Sequence, residues 1–427
     1  MQPVARVPVT INHLLGSMTM ARRFDNLRIA AALVFLATST YAQNLAIQGE
    51  TVYTMAGAAP ITNGVVLIEH GKITKVGPAS QVIIPQSYET HSAKVVTPGL
   101  VDAHSAVGLT GYLNVATDQD ELEKSAAVQP ELRAIDAYDP RERLIEWVRS
   151  FGVTTMNTGH SPGALVSGQT MVVKTRGNTV DEAMIVPAAM IAASLGNQGL
   201  AEKEKSPGTR GKEAAMLRTE FIKAQAYMKS PAKKEDGKPQ ERDLKKETFA
   251  RVLKGELPLL VTANRTRDIM TAIRLAKEFN FKLILDGCAE CDMVLEEVKA
   301  SGYPIIVHPT MQRANEETEN ISFETAAHLQ AAGIPYALQS GFEAYVPKTR
   351  VILFEAAVAA AYGLTFDQAL ASITINAAKI IGVANRVGSL EIGKDGDIAM
   401  YDGDPFEYTS HCIGTAIEGK MVSSAKQ

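Results

Sequence analysis

Short apolar runs alternate with stretches of helical period from about residue 100 to residue 360, and this alternation restricts the fold more than any other feature. The runs fall at 100–103, 153–157, 183–188, 259–262, 283–285, 304–307 and 335–338, with an eighth near 169–174. Helical patterns at 140–150, 266–277, 293–300, 322–331 and 351–361 separate or follow them. Apolar strands joined by amphipathic helices build parallel sheets, and eight such strands is the count that closes a (β/α)8 barrel. The expected class is therefore α/β, with a TIM-type barrel over 99–387.

The flanks have another texture. At 51–53, 64–69, 72–76 and 82–84 the pattern is short and β-like, divided by Gly and Pro, with His70-Gly71 as a tight-turn signal. It returns after Arg386, in Gly388 to Ala399 and at 413–418. Segments 43–98 and 388–427 are expected to pair into one small discontinuous β-sandwich. The charge-rich stretches 202–212 and 229–246 read as solvated insertions on the barrel.

Residues 1–42 read as a leader with a signal peptide. Arg22, Arg23 and Arg28 precede an apolar run at 29–38, too short to span a bilayer, and Thr40 and Ala42 supply the small residues that place cleavage before Gln43. Met18 or Met20 is the expected start. No Cys lies near the cleavage point to take a lipid anchor. The leader carries four Arg and one Asp, so its removal takes the formal net charge from −4 to about −7. A periplasmic or secreted protein without a membrane anchor follows. With no basic patch interleaved with aromatics, nucleic acid is excluded as a partner. A small-molecule or peptide ligand is expected, and a homo-oligomer is compatible with the sequence.

Two segments carry a resemblance. Val96-Thr97-Pro98-Gly99-Leu100-Val101-Asp102-Ala103-His104 enters the barrel and Gly388-Ser389-Leu390-Glu391-Ile392-Gly393-Lys394-Asp395-Gly396-Asp397 leaves it, with Phe366 to Leu370 and Thr374 to Lys379 between them. In order and spacing these resemble the amidohydrolase superfamily, in particular exported members related to imidazolonepropionase, over roughly 45–423. The resemblance implies hydrolysis of a C–N bond in a small amide, lactam or peptide. It also implies one or two divalent metals, zinc above all, held by His and Asp at the strand ends, which lower the pKa of bound water.

The expected ligands are mostly replaced. Where the resemblance implies His-x-His, the chain reads His104-Ser105-Ala106; the later His positions fall on Thr262 to Asn264 and on Asp286 to Cys288, and the catalytic Asp on Gly341. His104 is the one candidate metal ligand left in place. A relocated metal site could use His104, Asp286 and His308, with Glu343 or a Cys thiolate. The catalytic candidates are His308 and Asp286 as base, with Asn264 or Gln339 steadying an oxyanion. The other reading is a metal-free pseudoenzyme, with Asn264, Gln339 and Arg313 lining a polar pocket that binds a small molecule or serves as a scaffold.

Other candidates have plainer readings. His160 follows a strand. Lys174 invites comparison with a carboxylated metal-bridging Lys, but its turn-flanked strand favours a structural role. Cys288-Ala289-Glu290-Cys291 can be a local disulfide, two free thiols, or a redox or metal pair, and Cys412 leaves the count odd. Residues 345–350 offer charges that either bind an anion or begin a helix.

Overall fold

A computed structural model describes residues 44–201, 205–230, 241–343 and 349–424. The leader at 1–42, residues 345–348 and parts of both charge-rich insertions lie outside the described residues. The strands are β1 (Leu45–Val52), β2 (Ile61–Glu69), β3 (Lys72–Pro78), β4 (Glu89–Pro98), β5 (Leu100–Ser105), β6 (Val153–Gly159), β7 (Val166–Lys174) and β8 (Met184–Ser194), followed by β9 (Leu259–Ala263), β10 (Leu283–Gly287), β11 (Ile305–Val307), β12 (Tyr336–Ala337), β13 (Ile398–Tyr401), β14 (Cys412–Ile417) and β15 (Lys420–Ser423).

Strands β5 to β12 form one eight-stranded sheet in chain order. All eight expected runs are present, but their directions are mixed. β7 runs antiparallel to both β6 and β8, while the remaining pairs are parallel. The cause is the connection: β6 ends at Gly159 and β7 begins at Val166. A parallel crossover needs about a dozen residues or more, so a link this short can only return antiparallel.

The sheet curls until its two edges almost meet. Ser105 bridges to Gly341, whose N–H donates to the His104 carbonyl at 3.1 Å. Further along this seam no strand fills the space. Instead the Val101 N–H donates to the Ile373 carbonyl at 2.8 Å and the Leu338 N–H to the Ser372 carbonyl at 3.2 Å. The end of helix Phe366–Ser372 thus supplies the missing edge.

Alternation along the strands sorts the core. Leu260, Ile284, Ile306 and Ala337 share an inner cluster with Val101, Ala103, Val172 and Met190, closed at one end by Ala377, Ala378 and Ile381. Their neighbours Leu259, Val261, Leu283, Leu285, Ile305 and Val307 belong to the larger layer between strands and helices. With a period of two, the inner set continues to Thr262, Asn264, Asp286, His308 and Gln339 at the C-terminal ends of the strands.

The flanking segments pair as expected, in a single seven-stranded sheet ordered β15-β14-β13-β4-β1-β2-β3. β4 joins the halves, parallel to β1 and antiparallel to β13. Residues 82–84 are not a strand. The Gln81 and Val82 amides turn back to the Pro78 carbonyl, and Val82 packs with Ala46, Val65 and Leu67 while Ile83 is exposed.

An ion network fastens the sheet to the barrel. Lys174, fully buried, pairs with Asp395 at 3.0 Å and with Asp397. Asp395 also takes Lys72 at 2.5 Å and Arg386 at 2.9 Å, and Arg386 reaches Glu418 at 3.1 Å. Because β7 is antiparallel, Lys174 pairs with Thr155 near the start of β6, at the end of the barrel away from the inner polar residues. That placement removes it from any metal-bridging role.

Candidate functional site

The inner polar residues line one cavity of about 580 Å3, counting the solvent at its opening. His104, Asn264, Asp286, His308 and Gln339 all belong to its wall. Arg313 does not: the Gln312 amide turns back to the Pro309 carbonyl at 3.0 Å, which ends the strand-like alternation, and Arg313 is exposed. Glu343 pairs with Arg350 instead of joining the cavity. Ser105, Ser161, Gln198 and Gln312, not singled out from the sequence, complete the polar lining. The signal that could have found Ser161 and Gln198 is their position just beyond the ends of β6 and β8.

Asp286 is the centre of the arrangement. The His104 Nδ1–H donates to its Oδ1 at 3.1 Å, the Gln339 Nε2–H to the same oxygen at 2.8 Å, and the Thr262 hydroxyl to Oδ2 at 2.6 Å. A register irregularity between Asp102 and Ser105 lies where β5 delivers His104 to this contact. Burial disfavours the charged form of both partners, yet each shifts the other toward it. The Asp286 charge and hydrogen bond raise the His104 pKa above its ordinary value, and His104 with Thr262 and Gln339 lowers that of Asp286.

Asp102, one turn of the pleat earlier, faces elsewhere. It accepts from the Ser340 hydroxyl and from the Ser340 N–H at 3.0 Å, and burial pushes its pKa up to about 6 against those hydrogen bonds. His308 is held neutral. Its ring nitrogens lie 3.0 Å from the Pro309 carbonyl and 3.2 Å from the Thr325 hydroxyl, and burial lowers its pKa to about 4. Neither nitrogen is left to abstract a proton, so the structure does not support His308 as the base. His160 is buried against Gly168, where an added Cβ would sit 2.2 Å from the imidazole ring.

These residues do not fit a divalent ion. A metal site needs several lone pairs aimed at one point. Here the Asp286 oxygens accept from three protein donors and both His308 nitrogens are engaged, so that His104, whose Nδ1–H goes to Asp286, could offer at most its Nε2 and without a second ligand beside it. Ala106, Thr262, Asn264 and Gly341 stand at the remaining strand ends, and no group of three or more His, Cys, Asp or Glu that could hold a metal occurs among the described residues. The relocated site of His104, Asp286 and His308 is therefore not formed. Cys288 and Cys291 are buried free thiols behind the wall, and Cys412 lies apart in β14.

Comparisons with known proteins agree with the fold. The sequence model of the amidohydrolase family matches residues 347–424. The crystal structure of an amidohydrolase from Thermotoga maritima is 30% identical with a TM-score of 0.83, covering 89% of this chain and 100% of that one. Amidohydrolase tasK of Hapsidospora irregularis is 25% identical over 393 residues, 83% of this chain but 39% of that protein, so the chain spans about two fifths of it. The imidazolonepropionase of Rhizobium rhizogenes is 21% identical over 373 residues, covering 82% of this chain and 88% of that protein.

Proposed function

The chain belongs to the amidohydrolase family, and from that premise we propose that it is an exported, metal-independent member whose barrel mouth binds a small molecule or short peptide. If the chain is active, family membership makes it a hydrolase acting on C–N bonds. The observation that carries the binding reading is the set of contacts around Asp286, where His104, Gln339 and Thr262 occupy three of the four lone-pair sites that a metal would compete for. Beside the His104–Asp286 pair the wall offers the Gln339 and Asn264 amides and the Thr262 hydroxyl, so most of what it presents is neutral hydrogen-bonding groups. Such a wall selects a ligand by shape and hydrogen bonds rather than by ionic attraction.

The second reading is C–N hydrolysis at the same place, favoured by the 30% identity to an amidohydrolase over nearly the whole chain. It requires a group at the cavity that can activate water, and the contacts of Asp286 and His308 leave neither ready to do so.

The two readings separate by metal analysis of protein purified without chelator, together with thermal unfolding in the presence and absence of EDTA. The binding reading expects no stoichiometric metal and an unchanged midpoint. One or two zinc ions per chain, released by His104→Ala, would overturn it in favour of the hydrolase. Cell fractionation tests export, which is lost as a reading if the mature chain stays in the cytoplasm.

A further inference from the structure

The Cys-x-x-Cys turn lies at a junction behind the cavity wall. Gly287 and Cys288 follow Asp286 directly and both adopt left-handed backbone, with φ of 79° and 59°. The turn is held on three sides: the Cys288 N–H donates to the Ala263 carbonyl at 3.0 Å, the Glu290 N–H to the Asn264 carbonyl at 2.9 Å, and the His308 N–H to the Gly287 carbonyl at 2.8 Å. It therefore ties together the ends of β9, β10 and β11, the strands that deliver Asn264, Asp286 and His308.

Within this turn the Cys291 N–H donates to the Cys288 carbonyl at 3.1 Å. Such a contact brings the first and fourth Cα atoms to within about 7 Å, a span close to that which a disulfide bridges. Both residues are fully buried, and the Cys288 side chain is among the groups that push the Cys291 thiol pKa up. Cys412 has other partners, with its Sγ 3.6 Å from the Gly414 carbonyl and 3.7 Å from the Thr415 hydroxyl.

We propose that Cys288 and Cys291 are a modification site that closes into a disulfide in an oxidising compartment, clasping the turn that joins β9, β10 and β11 behind the cavity. The step is thiol–disulfide exchange. Each thiol gives up its proton, the Sγ–Sγ bond forms, and the two electrons reduce a glutathione or oxidoreductase disulfide to two thiols. Burial shields both sulfurs once the chain has folded, so the bond forms during folding, before the core closes over it. The compartment rests on the export reading; the chemistry of the pair does not.

The test uses the chain from residue 43 onward, produced in hosts with a reducing and with an oxidising cytoplasm, alkylated in denaturant and mapped by mass spectrometry. Oxidising conditions are expected to give a species lighter by two hydrogens, linked between Cys288 and Cys291, with Cys412 alkylated. Its thermal midpoint should exceed that of the reduced chain by about 2 °C or more and fall on adding dithiothreitol. C291A should lack both the link and the dithiothreitol response, and C412S should keep both. Alkylation of all three cysteines in the oxidising host, a link through Cys412, or a linked chain that melts no higher would overturn the proposal. Separately, a full chain that stays in the cytoplasm sinks the export reading without touching a link already mapped in the oxidising host.

Discussion

The His104 imidazole and the Asp286 carboxylate meet at 3.1 Å across the barrel mouth, both buried, 182 positions apart in the chain. Each shifts the other toward its charged form, against a burial that disfavours it. Removing His104 leaves the buried Asp286 carboxylate with only the neutral donors of Thr262 and Gln339.

His104→Ala should therefore destabilise the protein by about 3–5 kcal/mol, read from urea unfolding. The loss should depend on pH. His104 has a raised pKa, so its contribution is complete below the unfolded value of 6.5 and fades as pH rises through the folded value. Asp286 has a lowered pKa, so its contribution is complete above 3.8 and fades as pH falls through the folded value. The difference between wild type and variant should peak between pH 3.8 and 6.5. A difference independent of pH would show that the contact is not ionic.

His308 acts in the opposite sense. Its folded pKa is about 4 against 6.5 unfolded, so the unfolded chain takes up the proton first and stability falls as pH drops from 6.5 toward 4. The loss amounts to about 3 kcal/mol across that window. His308→Gln, which can keep a bond to Thr325, should flatten this part of the stability curve. Parallel curves for the two proteins would mean that another group drives the acid transition.

Lys174→Met should loosen the attachment of the seven-stranded sheet. It leaves Asp395 and Asp397 buried, with Lys72 and Arg386 still beside Asp395 but, among the described residues, no other cation paired with Asp397. The expected cost is about 3–5 kcal/mol in chemical denaturation. Adding Asp397→Asn should restore part of it; a double variant no better than the single one would refute the pairing.

Gly99→Ala tests the entry to the barrel. A Cβ there would lie 2.2 Å from the Thr154 hydroxyl oxygen and 2.3 Å from its methyl carbon, so about 1–3 kcal/mol should be lost. Thr154→Ala removes both of those atoms and leaves the Thr154 Cβ position at 2.8 Å. The double variant should recover some, not all, of the thermal midpoint. No recovery would place the constraint in the backbone.

Much of the barrel was legible because strand periodicity survives burial. Leu260, Ile284 and Ile306 set a phase from which Thr262, Asp286 and His308 follow by steps of two. The direction of β7 was not read, although the shortness of its link from β6 carried the reason. Arg313 was misplaced for a related cause, since the turn after Pro309 breaks the alternation that would have aimed it inward. The partners inside the cavity were harder still. That His104 meets Asp286 rather than a metal depends on three donors converging from β5, β9 and the segment after β12, which no local pattern encodes.

The Ser372–Ile373 contact that fills the barrel seam bears on the order in which the molecule can be completed. Synthesis runs from the N-terminus, so β5 waits for a main-chain partner that emerges only when most of the polypeptide has been made. β4 waits longer, for β13. Until then both sheets carry open edges, and a nascent chain in that condition is exposed to strand pairing with its neighbours rather than a finished globule.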